Sequence, residues 1–167
     1  IGLRQKPHPL PVKTVPPHHA GVRLAAPGDI DEIFGKADKD GNFVIGYTRE
    51  QGHPVCLNLD RFVQRSSGVF GATGTGKSFL TRIILAGLIQ YNRTSLLVFD
   101  MHNEYAYNDI SSDTGKRVIG LATKFRSRTQ VVGLGAGALI RGNTPDFNLE
   151  IAFSDIEPED IELLSRE

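Results

Sequence analysis

The stretch Val69-Phe70-Gly71-Ala72-Thr73-Gly74-Thr75-Gly76-Lys77-Ser78 decides the reading of this chain. A short apolar lead-in runs straight into a glycine-rich loop that matches G-x-x-x-x-G-K-[ST] at every defined position. Each residue type has a physical reason. Gly71, Gly74 and Gly76 let the backbone adopt positive φ and come close to a phosphate. The successive amides of the loop form an anion nest. A helix starting near Lys77 turns its positive dipole end toward the same place. Lys77 is positioned to reach the β- and γ-phosphates of a nucleotide, and the Ser78 hydroxyl to ligate Mg²⁺. Ala72, Thr73, Thr75 and Phe79 complete the set expected against the nucleotide. The chain shows no base-specificity motif of the GTPase type, so the expected ligand is ATP with Mg²⁺.

Downstream of the loop, Leu80, Ile83, Ile84, Leu88 and Ile89 recur at three- and four-residue steps. That spacing predicts a helix from Lys77 to Tyr91, ended by Asn92-Arg93. Ser95-Leu96-Leu97-Val98-Phe99-Asp100 is a continuous apolar run closed by an acid, the look of a buried parallel strand. Strand, loop, helix and strand make a βαβ unit with a right-handed crossover. Ligands of open α/β sheets bind at the carboxyl ends of strands, which is where Asp100 falls. An apolar run followed by Asp is also the Walker B pattern, an acid that holds Mg²⁺ directly or through water. The plainer reading is an Asp that caps a strand end. Glu104, one turn of chain further, is suited to orient or deprotonate an attacking water. His102 is suited to bond a phosphate or a neighbouring subunit. Both also fit as ordinary solvated loop residues. Lys77, Asp100 and Glu104 are thus the catalytic candidates, and Ser78 and Asp100 the metal ligands.

Upstream, residues 1 to about 27 carry Pro7, Pro9, Pro11, Pro16 and Pro17 with His8, His18 and His19. Proline at this density excludes helix and central strand and predicts an extended segment. Ala20 to Ala25 is a candidate edge strand, and Ile30 to Phe34 a short helical turn. Asp40-Gly41 reads as a hairpin turn, with Phe43 to Tyr47 the strand after it and Val55 to Leu59 a second strand. Closely spaced short strands suggest a small β-rich, barrel-like module over residues 1–62. The nucleotide-binding domain then occupies 63–167. Within it Val118 to Leu121, Val131 to Leu134 and Leu149 to Phe153 read as strands. Pro158 suits the first turn of a last helix containing Ile161, Leu163 and Leu164.

Composition narrows the class. The 167 residues contain 19 Lys+Arg and 19 Asp+Glu, so the formal net charge is zero and no whole-chain field draws the protein to nucleic acid. Any such contact must come from a local patch or an assembly. Cys56, the single cysteine, excludes an internal disulfide and suits a reducing compartment. No apolar run approaches the roughly 20 residues that span a bilayer, and the start has no signal-peptide core. A cytoplasmic protein with no membrane partner is expected.

The loop Gly71–Ser78 taken with Asp100-x-His102-x-Glu104-Tyr105 resembles the HerA-like branch of the HerA/FtsK ATPases. The lead-in Val55 to Phe70 and the β-rich part before it are similar to that family too, over about residues 15 to 160. The resemblance implies an α/β fold in which a small barrel precedes part of a RecA-like parallel sheet. It implies a homo-hexameric motor that moves on double-stranded DNA using ATP. It further implies a nuclease partner in DNA end processing, or a defence effector in antiviral work. Under it, Asp100 and Glu104 are second-strand acids near the γ-phosphate rather than Walker B. The family's Walker B strand, sensors and arginine finger come later than Glu104. A complete motor core needs five or more βα units of about 30 residues each, so the chain is expected to be the N-terminal portion of a longer protein. The alternatives are a secretion or conjugation motor of the same superfamily and a nucleotide-gated assembly module.

Four further patterns carry less. Gly133-x-Gly135-x-x-Ala138 matches a dinucleotide fingerprint, but Gly142-Asn143-Thr144-Pro145 leaves no room for the helix it needs, so a loop is expected. Asp38-x-Asp40-Gly41 has its glycine in the wrong place for a calcium loop. Asn92-Arg93-Thr94 fits the glycosylation pattern without secretory context. Lys124, Arg126 and Arg128 alternate and, in a strand, would share one basic face, more simply a wet face than a DNA contact.

Overall fold

The computed structural model describes residues 2–3, 10–11, 15–37, 39–111 and 114–164. Pro7, His8, Pro9 and Asp38 lie outside the described residues. The chain divides into two compact units, residues 1–95 and 96–167.

In the first unit β1 (Gly2–Leu3) and β2 (Leu10–Pro11) form a short antiparallel pair. Residues 20–25, expected as an edge strand, have no strand partner and stay exposed. Helix α1 (Pro27–Phe34) starts earlier than the Ile30 turn anticipated. Proline at its first position needs no amide partner, and the Asp29 carboxylate accepts from the Ala26 amide at 2.9 Å. Strand β3 (Asn42–Tyr47) pairs antiparallel with β4 (Pro54–Asn58), with a register shift between Val44 and Gly46 that marks a bulge. The hairpin connection is therefore residues 48–53. Asp40-Gly41 is a turn, with the Asn42 amide donating to Lys39, but it joins α1 to β3 and is not the hairpin turn expected. Closure of this module into a barrel is not seen among the described residues, where every sheet has two strands.

Helix α2 (Leu59–Phe62) follows β4 directly, capped by the Asn58 side chain, which accepts from the Arg61 amide at 3.0 Å. The helix α3 (Lys77–Tyr91) runs over the residues its periodicity foretold. Leu59, Ile84 and Leu88 form the buried cluster, with Phe43, Ile45, Leu57, Phe62, Leu80 and Tyr91 packed around it. Burying each such aliphatic side chain contributes about 1.5–3 kcal/mol. Gly87 sets the spacing: a Cβ there would lie 2.7 Å from the Phe43 ring. The far end of α3 closes on Asn92 in the left-handed region (φ 52°), whose amide donates to Leu88. Arg93 then pairs with Asp40 (2.6 Å) and Asp60 (2.9 Å). So α3 lies on the β3–β4 hairpin, the element that positions the glycine loop.

The second unit is built from short pieces. Strand β5 (Asp109–Ile110) pairs antiparallel with β6 (Arg117–Val118). Helix α4 (Leu121–Lys124) follows. Then β7 (Val132–Leu134) pairs in parallel with β8 (Phe147–Leu149). Among its described residues Leu121 and Val131 are the buried aliphatic side chains, and Gly120, Gly133 and Pro145 are buried beside them. A 3₁₀ turn (Phe153–Asp155) and α5 (Pro158–Leu164) complete the described chain, with Pro158 leading the last helix as expected. No described helix is long and apolar enough to cross a membrane.

Four expectations are overturned by the structure. The apolar run 95–100 forms no strand; Leu97 and Phe99 are 81% and 85% exposed. Val69-Phe70 likewise has no strand pairing. A strand exists only through a ladder to a neighbour, and no described segment supplies one to either stretch. Lys124 ends a helical turn and Arg126 and Arg128 lie in the turns after it, so the alternating basic face does not form. Phe147 to Leu149, rather than Leu149 to Phe153, is the paired strand. The glycines after Val132 make a loop, as expected, with Gly135 and Gly137 at positive φ. The whole is a mixed α/β chain with one parallel strand pair among the described residues.

Candidate nucleotide site

Every residue of the loop 71–76 is exposed, at the N-terminus of α3. Gly74 (φ 81°) and Gly76 (φ 89°) occupy the left-handed region expected of the motif's glycines, whereas Gly71 does not. Gly76 is the N-cap of the helix and has no side chain to satisfy the first-turn amides, which leaves them available to an anion. The loop curls around one acceptor, the Ala72 carbonyl. Thr75 donates to it from its amide (3.3 Å) and its hydroxyl (2.7 Å), and Lys77 Nζ from 2.9 Å. Gly71 allows this curl: a Cβ there would come 2.6 Å from Thr75 Oγ1. Lys77 and Ser78 are half-buried, whereas Phe79 points into solvent. A phosphate is a stronger, charge-assisted acceptor than a carbonyl, so Lys77 is held over the loop with a partner it can exchange. This donor set fits a nucleotide phosphate, and the Ser78 hydroxyl is the candidate ligand for an accompanying Mg²⁺.

The loop belongs to the first unit and Asp100, His102 and Glu104 to the second. Asp100 organises its own turn. Its Oδ1 accepts from the Glu104 amide (2.8 Å) and its Oδ2 from the Tyr105 amide (2.9 Å), while its carbonyl accepts from the Asn103 amide (3.1 Å). Both oxygens keep further lone pairs, so capping the turn and ligating a metal do not exclude each other. Asn103 turns the chain at φ 55°. His102 is exposed and Glu104 half-buried. Among the described residues, no cluster of His, Cys, Asp and Glu is assembled as a metal cage.

The residues after the turn are locked by close backbone approach. The Leu121 and Ala122 amides donate to the Tyr105 and Ala106 carbonyls, and the Gly120 amide to Asn108 Oδ1. A Cβ on Gly120 would sit 2.3 Å from the Ala106 oxygen. Tyr107 donates to the Thr144 carbonyl at 2.9 Å. Its phenol is pushed above its ordinary range, first by burial, then by the Asp146 carboxylate, against the opposing charge of Arg126. Arg141 reaches the same turn from the 140–143 bend, and no sequence pattern singled it out.

Comparison with known proteins bears on this arrangement. Residues 43–167 match the family described as "Helicase HerA, central domain". The chain belongs to that family. The match begins inside β3 and runs through both the glycine loop and the Asp100 turn. No curated protein and no solved structure matches the chain. Membership of the HerA central-domain family makes this a P-loop ATPase domain of the motor type.

Proposed function

We propose that this HerA-family domain binds ATP with Mg²⁺ and hydrolyses it to drive movement along double-stranded DNA, as one subunit of a homo-hexamer. The observation that carries the reading is the glycine loop itself. Gly74 and Gly76 stand in the left-handed region at the mouth of a 15-residue helix, and Lys77 Nζ is held over the loop. In this reading the loop amides and Lys77 bind the β- and γ-phosphates, and Ser78 holds the metal. Asp100 keeps the 101–105 turn in shape, and Glu104 and His102 serve the hydrolytic step. A nuclease or defence-effector partner would take the DNA end that the motor delivers. The cytoplasm is the compartment that suits such a partner and the single thiol.

The test is ATP turnover by the full-length protein, with and without linear double-stranded DNA, beside Lys77→Ala. Stimulation by DNA that vanishes in Lys77→Ala is the expected result. Turnover indifferent to DNA sinks the translocase reading in favour of a secretion-type motor. Binding without turnover favours a gated assembly module.

A further inference from the structure

We infer that Arg141 is a positioning residue for the hydrolytic step, strapping the turn that carries His102 and Glu104; the inference rests on the role proposed for that turn. The guanidinium is used as a fork. Its Nε donates to the Asn103 carbonyl at 2.6 Å, and its Nη1 pairs with Asp109 Oδ1 at 2.6 Å. Asn103 lies between the two acting residues, so a bond to its carbonyl fixes the peptide that separates them. Asp109 opens β5, the strand that follows the turn, and ties the fork to regular structure. Planar, bidentate geometry of this kind is specific to arginine, because the ammonium of lysine is a single point donor.

The backbone supports the assignment independently. Arg141 stands at φ 50°, in the left-handed region that a side chain with a Cβ rarely adopts, while Gly142 beside it is also at positive φ. A residue with a Cβ holds this conformation at a cost, which the two bonds of the Arg141 side chain offset. The bend is closed by the Ile140–Asn143 bridge and anchored a second time by the Tyr107 hydroxyl on Thr144. Two straps therefore run between the 140–144 bend and the 103–109 segment, at Arg141 and at Tyr107. Asp100 holds the turn from within, through the Glu104 and Tyr105 amides. Arg141 holds it at the Asn103 carbonyl, an acceptor that the Asp100 carboxylate cannot bond.

Arg141→Lys in the full-length protein tests this, with Glu104→Gln, the double variant and Asp109→Asn measured beside it. Steady-state ATP turnover is read together with the affinity for a fluorescent ATP analogue. A positioning role predicts that Arg141→Lys lowers kcat by about tenfold or more, with KM and analogue affinity within about twofold. Asp109→Asn, which takes the charge from the other end of the fork without adding bulk, shows the same split. The double variant is no slower than Glu104→Gln alone, because Arg141 acts through that turn. Wild-type kcat in Arg141→Lys beside a slow Glu104→Gln overturns the inference. So does a loss of analogue affinity that parallels kcat, or additive losses in the double variant, since both describe general loosening. Unchanged turnover in Glu104→Gln instead overturns the reading of the turn, and the inference falls with it.

Discussion

The hydroxyl of Tyr91, the last residue of the helix that begins at Lys77, donates to the Asn42 carbonyl at 2.8 Å. Asn42 is buried to 5% exposure and opens the β3 strand. Its side-chain Nδ2 donates to the Lys36 carbonyl at 2.7 Å, and its side-chain oxygen accepts from Asn58 at 2.9 Å. One buried asparagine thus ties the segment after α1, the hairpin and the end of α3 together. The Tyr91 ring meets Phe43 edge-on, with centroids 6.2 Å apart. Tyr91→Phe keeps the ring contact and removes the bond, leaving a buried acceptor short of a donor. The expected loss is about 1 kcal/mol, read as a lower urea midpoint, with nucleotide affinity unchanged.

Gly71→Ala separates the loop from the helix. The new Cβ meets Thr75 Oγ1, the hydroxyl that closes the curl onto Ala72. The loop must open or Thr75 must turn away. Affinity for a fluorescent ATP analogue should fall about tenfold, a change of about 1.4 kcal/mol. Far-ultraviolet circular dichroism should stay as in the wild type, because α3 packs through Ile84, Gly87 and Leu88, well down the helix.

Asp100→Ala removes the acceptor of both the Glu104 and Tyr105 amides. Bonds to a charged acceptor are worth about 1.5–3 kcal/mol each when the site is shielded, less at this half-exposed position. Amide exchange at residues 104 and 105 should speed up well beyond that at α4, and turnover should fall with it. Unchanged exchange at those two amides would show that Asp100 does not hold the turn.

Gly120→Ala is expected to be the most destabilising single-methyl change in the second unit. The added carbon meets main chain, the Ala106 oxygen and the Tyr107 carbonyl carbon, each at 2.3 Å, and main chain cannot rotate away as a side chain can. Overpacking of this kind costs about 1–3 kcal/mol or more. Limited proteolysis should cut residues 96–167 earlier than in the wild type while residues 42–91 survive.

Cys56 gives a chemical readout of the hairpin. Burial, then the nearby Asp31 charge, holds its thiol above the ordinary range. A raised value means less thiolate at neutral pH, so alkylation should be slower than that of a free thiol at about pH 8 and should accelerate only on raising the pH further. Labelling as fast as that of a free cysteine would contradict the packing described for β4.

By itself the amino-acid order determined what depends on neighbours a few residues away. The loop glycines, the Lys77–Tyr91 helix, the Phe43–Tyr47 strand and the Pro158 helix start were legible because φ preferences and a three-to-four-residue period are local properties. Tertiary structure alone decided which strands pair. It set β3 against β4 across 48–53 rather than at Asp40-Gly41, joined β7 to β8 in parallel, and left the apolar run 95–100 without a ladder. Pairing depends on a partner distant in sequence, and a hydrophobic run reads the same whether or not that partner is found. The same reason hid Asn42, Tyr91 and Arg141. Each works through a bond to a residue or carbonyl that sequence distance does not reveal, at separations of 16, 49 and 38 positions.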